Sequence, residues 1–251
     1  MSKEDHKPTI TDTSRAVVPD TRHHAPDTIP QSPVPSPQPL IPKEELLGKF
    51  EPSKHPDFIK IESRHTEKPN IFMRKEAYES FKKMATAAKK EGVDIRIISA
   101  TRNFDYQKGI WEKKWLREKY AGWKDVDKVK DILKYSSMPG TSRHHWGTDV
   151  DFNSVELAYF ASGAGKKLYD WLLKNGATYG FAQTYTSKEN GRTGYEEEKW
   201  HWSYMPLSKE FLKQYNEQIQ YSDLIGFSGS SSAEASESIK LYVNGIDNSL
   251  K

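Results

Sequence analysis

Two stretches of this 251-residue chain bring together side chains that can hold a metal and move protons. In Ser142-Arg143-His144-His145-Trp146-Gly147-Thr148-Asp149-Val150-Asp151-Phe152, a histidine and a carboxylate flank a glycine turn, so both can reach one cation. In a strand starting near Thr148, Asp149 and Asp151 share a face while Val150 and Phe152 point the other way into a core. Two carboxylates on one face are costly unless something positive sits beside them. The second stretch is Glu196-Glu197-Glu198-Lys199-Trp200-His201-Trp202-Ser203-Tyr204, where Glu198 and His201 lie three residues apart. Together the stretches supply His, Asp and His as three neutral or anionic ligands. They leave an open tetrahedral position for water and a Glu able to move protons, the constitution of a catalytic zinc site. Residue types and spacing alone leave the alternatives open: packed or surface histidines, and a solvated acidic loop at 196–198.

The elements that must position these residues are legible in part. Tyr78, Phe81, Met84, Ala85 and Ala88 recur at helical spacing and predict a helix from Lys75 to Glu91, stopped by Gly92. Residues 93–99 alternate with period two and predict a strand. Asn103 is placed to cap a helix from Phe104 to about Tyr120, and Asp125 another from Val126 to about Lys134. Further helices are expected near 164–174, 209–220 and 233–244, the last behind a serine-rich cap. Short strands are expected at 149–152 and 200–204. Helices and short strands in irregular order predict an α+β fold: a small antiparallel sheet carrying the zinc site, flanked by helices.

Composition narrows the function. With 38 Lys and Arg against 35 Asp and Glu, the net charge is +3 and the signs are interspersed, which disfavours a dedicated nucleic-acid or anionic-membrane binder. No run approaches the roughly 18 apolar residues of a transmembrane helix. The absence of cysteine excludes disulfides, thiolate catalysis and Cys-type structural zinc, leaving His, Asp and Glu as metal ligands. Residues 1–44 are proline-rich, and no aromatic precedes Phe50. They predict a disordered tail or polyproline spacer, with no export signal evident at Met1. Residues 45–251 are expected to form a single domain with a C-terminal helical extension.

Ser142, His144, Gly147 and Asp151 match the S-x-H-x-x-G-x-A-x-D signature of the zinc D-alanyl-D-alanine carboxypeptidases, and Glu198-Lys199-Trp200-His201 matches their E-x-W-H signature. Ser99-Ala100-Thr101-Arg102-Asn103-Phe104-Asp105-Tyr106-Gln107 resembles their S-G-Y-R-S-x-x-x-Q segment. Over about residues 71–206 the chain therefore resembles this VanY-like family, part of the lysostaphin, carboxypeptidase and hedgehog fold class. The resemblance implies one Zn2+ on His144, Asp151 and His201, with Glu198 as general base. It implies Arg102 for the substrate's terminal carboxylate, with Ser142 and Gln107 as polar helpers. One departure is that the family's alanine two residues before the aspartate is Asp149 here. A supporting role is expected for it, accepting a hydrogen bond from a ligand histidine or pairing with Arg143 or Arg102.

The implied activity is D,D-carboxypeptidase cleavage of the terminal D-Ala-D-Ala bond of peptidoglycan stem peptides in the bacterial cell envelope, in the periplasm. The tail is a possible envelope tether. The alternatives are an L,D-carboxypeptidase or D,D-dipeptidase on the same site, or a non-catalytic zinc-dependent wall-binding module. Retention of both Glu198 and Arg102 favours catalysis. His145 and Trp146 are expected either to wall the pocket or to pack under the turn. Trp200 and Trp202 are read as core, and the basic face of residues 108–119 as solvated.

Overall fold

The computed structural model describes residues 39–251, so the proline-rich run through Gln38 lies outside the described residues. Helix α1 (Lys43–Leu46) precedes an antiparallel pair, β1 (Phe58–Lys60) and β2 (Phe72–Arg74). There follow α2 (Lys75–Lys90), β3 (Ile97–Ser99), α3 (Phe104–Trp115), α4 (Asp125–Ile132) and β4 (Asp149–Phe152). The last elements are α5 (Gly163–Asn175), β5 (Phe181–Tyr185), β6 (Glu198–Tyr204) and α6 (Met205–Gln218). Four strands form one antiparallel sheet in the order β3-β4-β6-β5. The fold is α+β, with helices around a small antiparallel sheet.

Strand alternation gives this sheet two different faces. Val150 and Phe152 of β4, Trp200, Trp202 and Tyr204 of β6 and Phe181 of β5 join one apolar cluster. The apolar stripe of α2 (Tyr78, Phe81, Met84, Ala88) and Leu168 and Leu172 of α5 pack into the same cluster. Each large side chain buried there contributes roughly 1.5–3 kcal/mol. The opposite face carries Asp149, Asp151, His201 and Ser203. A second cluster beyond it joins α1, α3, α4, α6 and the C-terminal residues through Leu46, Trp111, Trp146, Phe211, Tyr215 and Val243. The two clusters hold the polar face of the sheet between them.

Several elements differ from expectation for identifiable reasons. The strand expected at 93–99 pairs only from Ile97, because the Asn153 side chain serves the preceding backbone: it accepts from Arg96 N–H and donates to Asp94 O, both at 2.9 Å. Asn103 does cap α3 by accepting from Tyr106 N–H, but that helix stops at Trp115 and resumes only as a 3₁₀ turn at Glu118–Tyr120. Asp125 is the first residue of α4 rather than its cap. The helix expected at 233–244 is a correction: Glu237 sits at φ 50°, in the left-handed region, and only a short π-helical segment, Ser238–Val243, follows it. Serines that compete for nearby backbone groups favour such a break. Strands β1, β2 and β5 were not anticipated.

Candidate active site

Register brings the two sequence stretches together. Asp151 pairs with His201 across β4 and β6, Asp149 with Ser203, and Ser99 of β3 with Asp151. His144 arrives from the 3₁₀ turn Arg143–Trp146, which ends at Gly147 with φ 72°. A Cβ at Gly147 would also run into the Phe58 ring, so the glycine is required twice.

His144, Asp151 and His201 are buried, and one ligand atom from each lies within 4.8 Å of the other two. His144 Nε2 and His201 Nδ1 both stand 3.4 Å from Asp151 Oδ1. Metal–ligand bonds of about 2.0–2.1 Å at tetrahedral angles put ligand atoms roughly 3.3 Å apart, so this spacing suits zinc. The remaining ring nitrogens are tied off. His144 Nδ1–H donates to Ala100 O at 2.8 Å, and His201 Nε2–H donates to Asp149 Oδ2 at 2.9 Å. These bonds fix the tautomers that aim His144 Nε2 and His201 Nδ1 at a common point. His144 Nε2 and Asp151 Oδ1 are buried and have no hydrogen-bond partner among the described residues. Orphaned lone pairs of this kind fit a divalent ion.

Asp149 lies at the back of the site. Arg143 Nε donates to its Oδ2 at 3.0 Å, and Ser203 and Thr148 hydroxyls donate to its Oδ1 at 2.6 and 2.8 Å. Burial pushes this carboxyl up, but the Arg143 guanidinium and the bonds from His201 and Ser203 outweigh it and hold the pKa well below the usual range. Burial pulls the His201 imidazole down, while Asp149 and then Glu198 overcome that and push it up to about 9. His144 is lowered to about 4 by burial and by Arg102. Burial raises Glu198, whose Oε2 is 3.3 Å from His201 Nδ1, so this carboxylate accepts a proton more readily than an exposed one.

A cavity of about 670 Å³ opens onto the group, and Arg102, Gln107 and Glu198 line it. Arg102 Nη1 donates to Ser99 Oγ at 2.8 Å and lies 3.6 Å from Asp151 Oδ2. Gln107 Nε2 donates to Ser137 O at 2.8 Å, leaving a buried Oε1 without a partner among the described residues. Ser142 stands apart: it is buried, its Oγ has no partner among the described residues, and it is not part of the cavity wall. His145 and Trp146 pack under the turn. His145 Nδ1–H donates to Arg102 O at 2.6 Å, its Nε2 accepts from Gly140 N–H at 3.0 Å, and the Trp146 indole donates to Leu46 O at 3.1 Å.

Three contributors escaped sequence reasoning. Tyr185 places its ring edge-on to His201 with centroids 4.7 Å apart, because a register irregularity between Gln183 and Tyr185 brings it opposite Glu198. Tyr195 lines the same wall, and burial raises both phenols, keeping them neutral. Lys114 belongs to the helix face read as solvated, yet it is half-buried on the cavity wall. Ser203, which donates to Asp149, did have a sequence signal: it is two residues from His201 on one strand face.

The family model for VanY, D-alanyl-D-alanine carboxypeptidase, matches residues 70–207. The chain belongs to this family. YodJ of Bacillus subtilis (strain 168), a carboxypeptidase by name, is 33% identical over 168 residues, covering 64% of this chain and 56% of YodJ. A D-alanyl-D-alanine carboxypeptidase of Enterococcus faecalis (strain ATCC 700802 / V583) is 29% identical over 121 residues, covering 48% of this chain and 44% of its own length. The chain thus spans about half the length of these curated relatives. Among solved structures, the LdcB LD-carboxypeptidase superposes with a TM-score of 0.51 at 25% identity, covering 72% of this chain and 82% of that one. The family segment of this chain contains His144, Asp151 and His201 together with Arg102, Gln107 and Glu198.

Proposed function

We propose that this chain is a zinc-dependent D,D-carboxypeptidase that removes the terminal D-alanine from peptidoglycan stem peptides in the bacterial envelope. The observation that carries the reading is the convergence of His144 Nε2, Asp151 Oδ1 and His201 Nδ1, with Glu198 beside them at the floor of a cavity. Zinc held by these three residues would supply a Lewis acid and lower the pKa of a water to about 7. Glu198 takes the proton of the attacking water and returns it to the leaving amine. Arg102 offers a planar fork to the terminal carboxylate, with its orientation fixed by Ser99 and Asp151. Gln107 Oε1, buried and without a partner among the described residues, accepts a substrate N–H. Asp149 orients His201. Ser142 acts through the turn that carries His144, since its hydroxyl is off the cavity wall. The proline-rich residues 1–38 serve as a spacer to the envelope.

An L,D-carboxypeptidase is the second reading, favoured by the likeness to LdcB. Product masses separate the two. A pentapeptide ending in D-Ala-D-Ala and the tetrapeptide with one D-Ala fewer are incubated with zinc-loaded protein. Loss of one alanine from the pentapeptide alone supports the first reading, and loss from the tetrapeptide alone supports the second. Loss of two residues at once would mean a dipeptidase.

A further inference from the structure

Helix α3 lines the cavity with Gln107, Ile110 and Lys114, positions three and four apart that share one helix face. Gln107 and Lys114 are seven residues apart, or roughly 10 Å along the axis. Arg102 precedes the N-terminal end of this helix, so Arg102 and Lys114 are cations at opposite ends of one wall. The Lys114 ammonium contacts Ser136 Oγ and makes no ion pair among the described residues. Its strongest charged neighbours are Arg117, Glu198, Arg102 and Lys119, three cations against one carboxylate. A half-buried ammonium among cations is unfavourable until an anion reaches it.

We propose that Lys114 binds a second substrate carboxylate on the acyl side of the scissile bond, and so selects stem peptides with a free acidic group there. This rests on the reading that Arg102 takes the terminal carboxylate. Lys114 lies ten residues past Phe104, where α3 begins beside that anchor, or roughly 15 Å along the axis, which is about four to five extended residues at up to about 3.3–3.6 Å each. Stem peptides offer two carboxylates in that region: the α-carboxylate of a γ-linked glutamate, and the side-chain carboxylate of a diamino dicarboxylic third residue. Both present the same chemistry to an ammonium, and the positional test separates them.

Three pentapeptides ending in D-Ala-D-Ala are compared: both upstream groups amidated, only the glutamate carboxylate free, and only the third residue's carboxylate free. KM and kcat come from D-alanine release, and binding to the Glu198→Ala variant is measured by calorimetry. One of the free carboxylates lowers KM about tenfold relative to the diamide while kcat stays within about twofold, the size expected of a charge-assisted hydrogen bond. In Lys114→Met the ratio of the two KM values falls toward one, and Lys114→Arg retains it, which a merely structural role would not. A diamide bound and cleaved as well as either acid, or a preference unchanged in Lys114→Met, overturns the assignment of Lys114 alone. If none of the peptides is cleaved or bound, the carboxypeptidase reading fails and this inference falls with it.

Discussion

Replacing Asp149 by Asn tests why a carboxylate stands where the family signature has alanine. The substitution keeps the shape and removes the charge. Asp149 Oδ2 accepts from Arg143 Nε at 3.0 Å and from His201 Nε2 at 2.9 Å, and its Oδ1 accepts from two hydroxyls. An amide nitrogen at either position faces donors it cannot satisfy. The Arg143 and Asp149 side chains are both 0% exposed, so the guanidinium is left buried without its anion. Breaking a buried pair from one side costs about 3–5 kcal/mol. Losing the carboxylate that orients a metal-binding imidazole weakens metal affinity about 10–100-fold. Urea denaturation in the presence of a chelator reads the first quantity, and zinc competition with a chromophoric chelator reads the second. A double-mutant cycle with Arg143→Met isolates the pair. A loss under about 1 kcal/mol together with unchanged zinc affinity would refute the role assigned to Asp149.

Three further outcomes follow from the same geometry. His201, raised to about 9 when metal-free, must lose its Nδ1 proton to bind zinc, whereas His144, lowered to about 4, is already neutral; zinc binding near pH 6, where a zinc-held water of pKa about 7 keeps its proton, therefore releases about one proton, measurable by calorimetry in buffers of different ionisation enthalpy, and release of none or two contradicts the assigned protonation. His144 and His145, buried and lowered to about 4 and about 3 from 6.5, contribute stability that is fully present above pH 6.5 and declines below it as the unfolded chain takes up their protons; each contributes a slope of up to about 1.4 kcal/mol per pH unit, so a flat denaturation midpoint between pH 6.5 and 4.5 would be inconsistent with their neutrality. Gly147→Ala forces a side chain onto a φ of 72° and into the Phe58 ring; a loss of about 1–3 kcal/mol is expected, and a wild-type melting temperature would show that the turn relaxes freely.

Those parts of the molecule governed by local pattern were legible in the sequence. The period of Tyr78, Phe81, Met84 and Ala88 specifies α2, and the alternation of Asp149, Val150, Asp151 and Phe152 specifies both the strand and the face on which its carboxylates stand. What escaped depended on long-range partners. Only the fold brings the Asn153 side chain to the backbone before Ile97 and shortens β3. Only the irregular pairing of β5 with β6 turns Tyr185 onto His201. A lysine on a basic helix reads as solvated until the loop bearing Ser136 packs over it, as happens at Lys114. The C-terminal stretch misled because its apolar spacing looks helical while its serines and the left-handed Glu237 interrupt it.

The most direct test of the central claim is release of D-alanine from a D-Ala-D-Ala pentapeptide by three preparations: chelator-stripped protein, the same protein reloaded with zinc, and zinc-loaded Glu198→Gln with its metal content verified. The account predicts release by the reloaded wild type alone, with the Glu198→Gln rate down by about 10²–10⁴-fold despite bound zinc. Comparable turnover by stripped protein, or by Glu198→Gln, would contradict it.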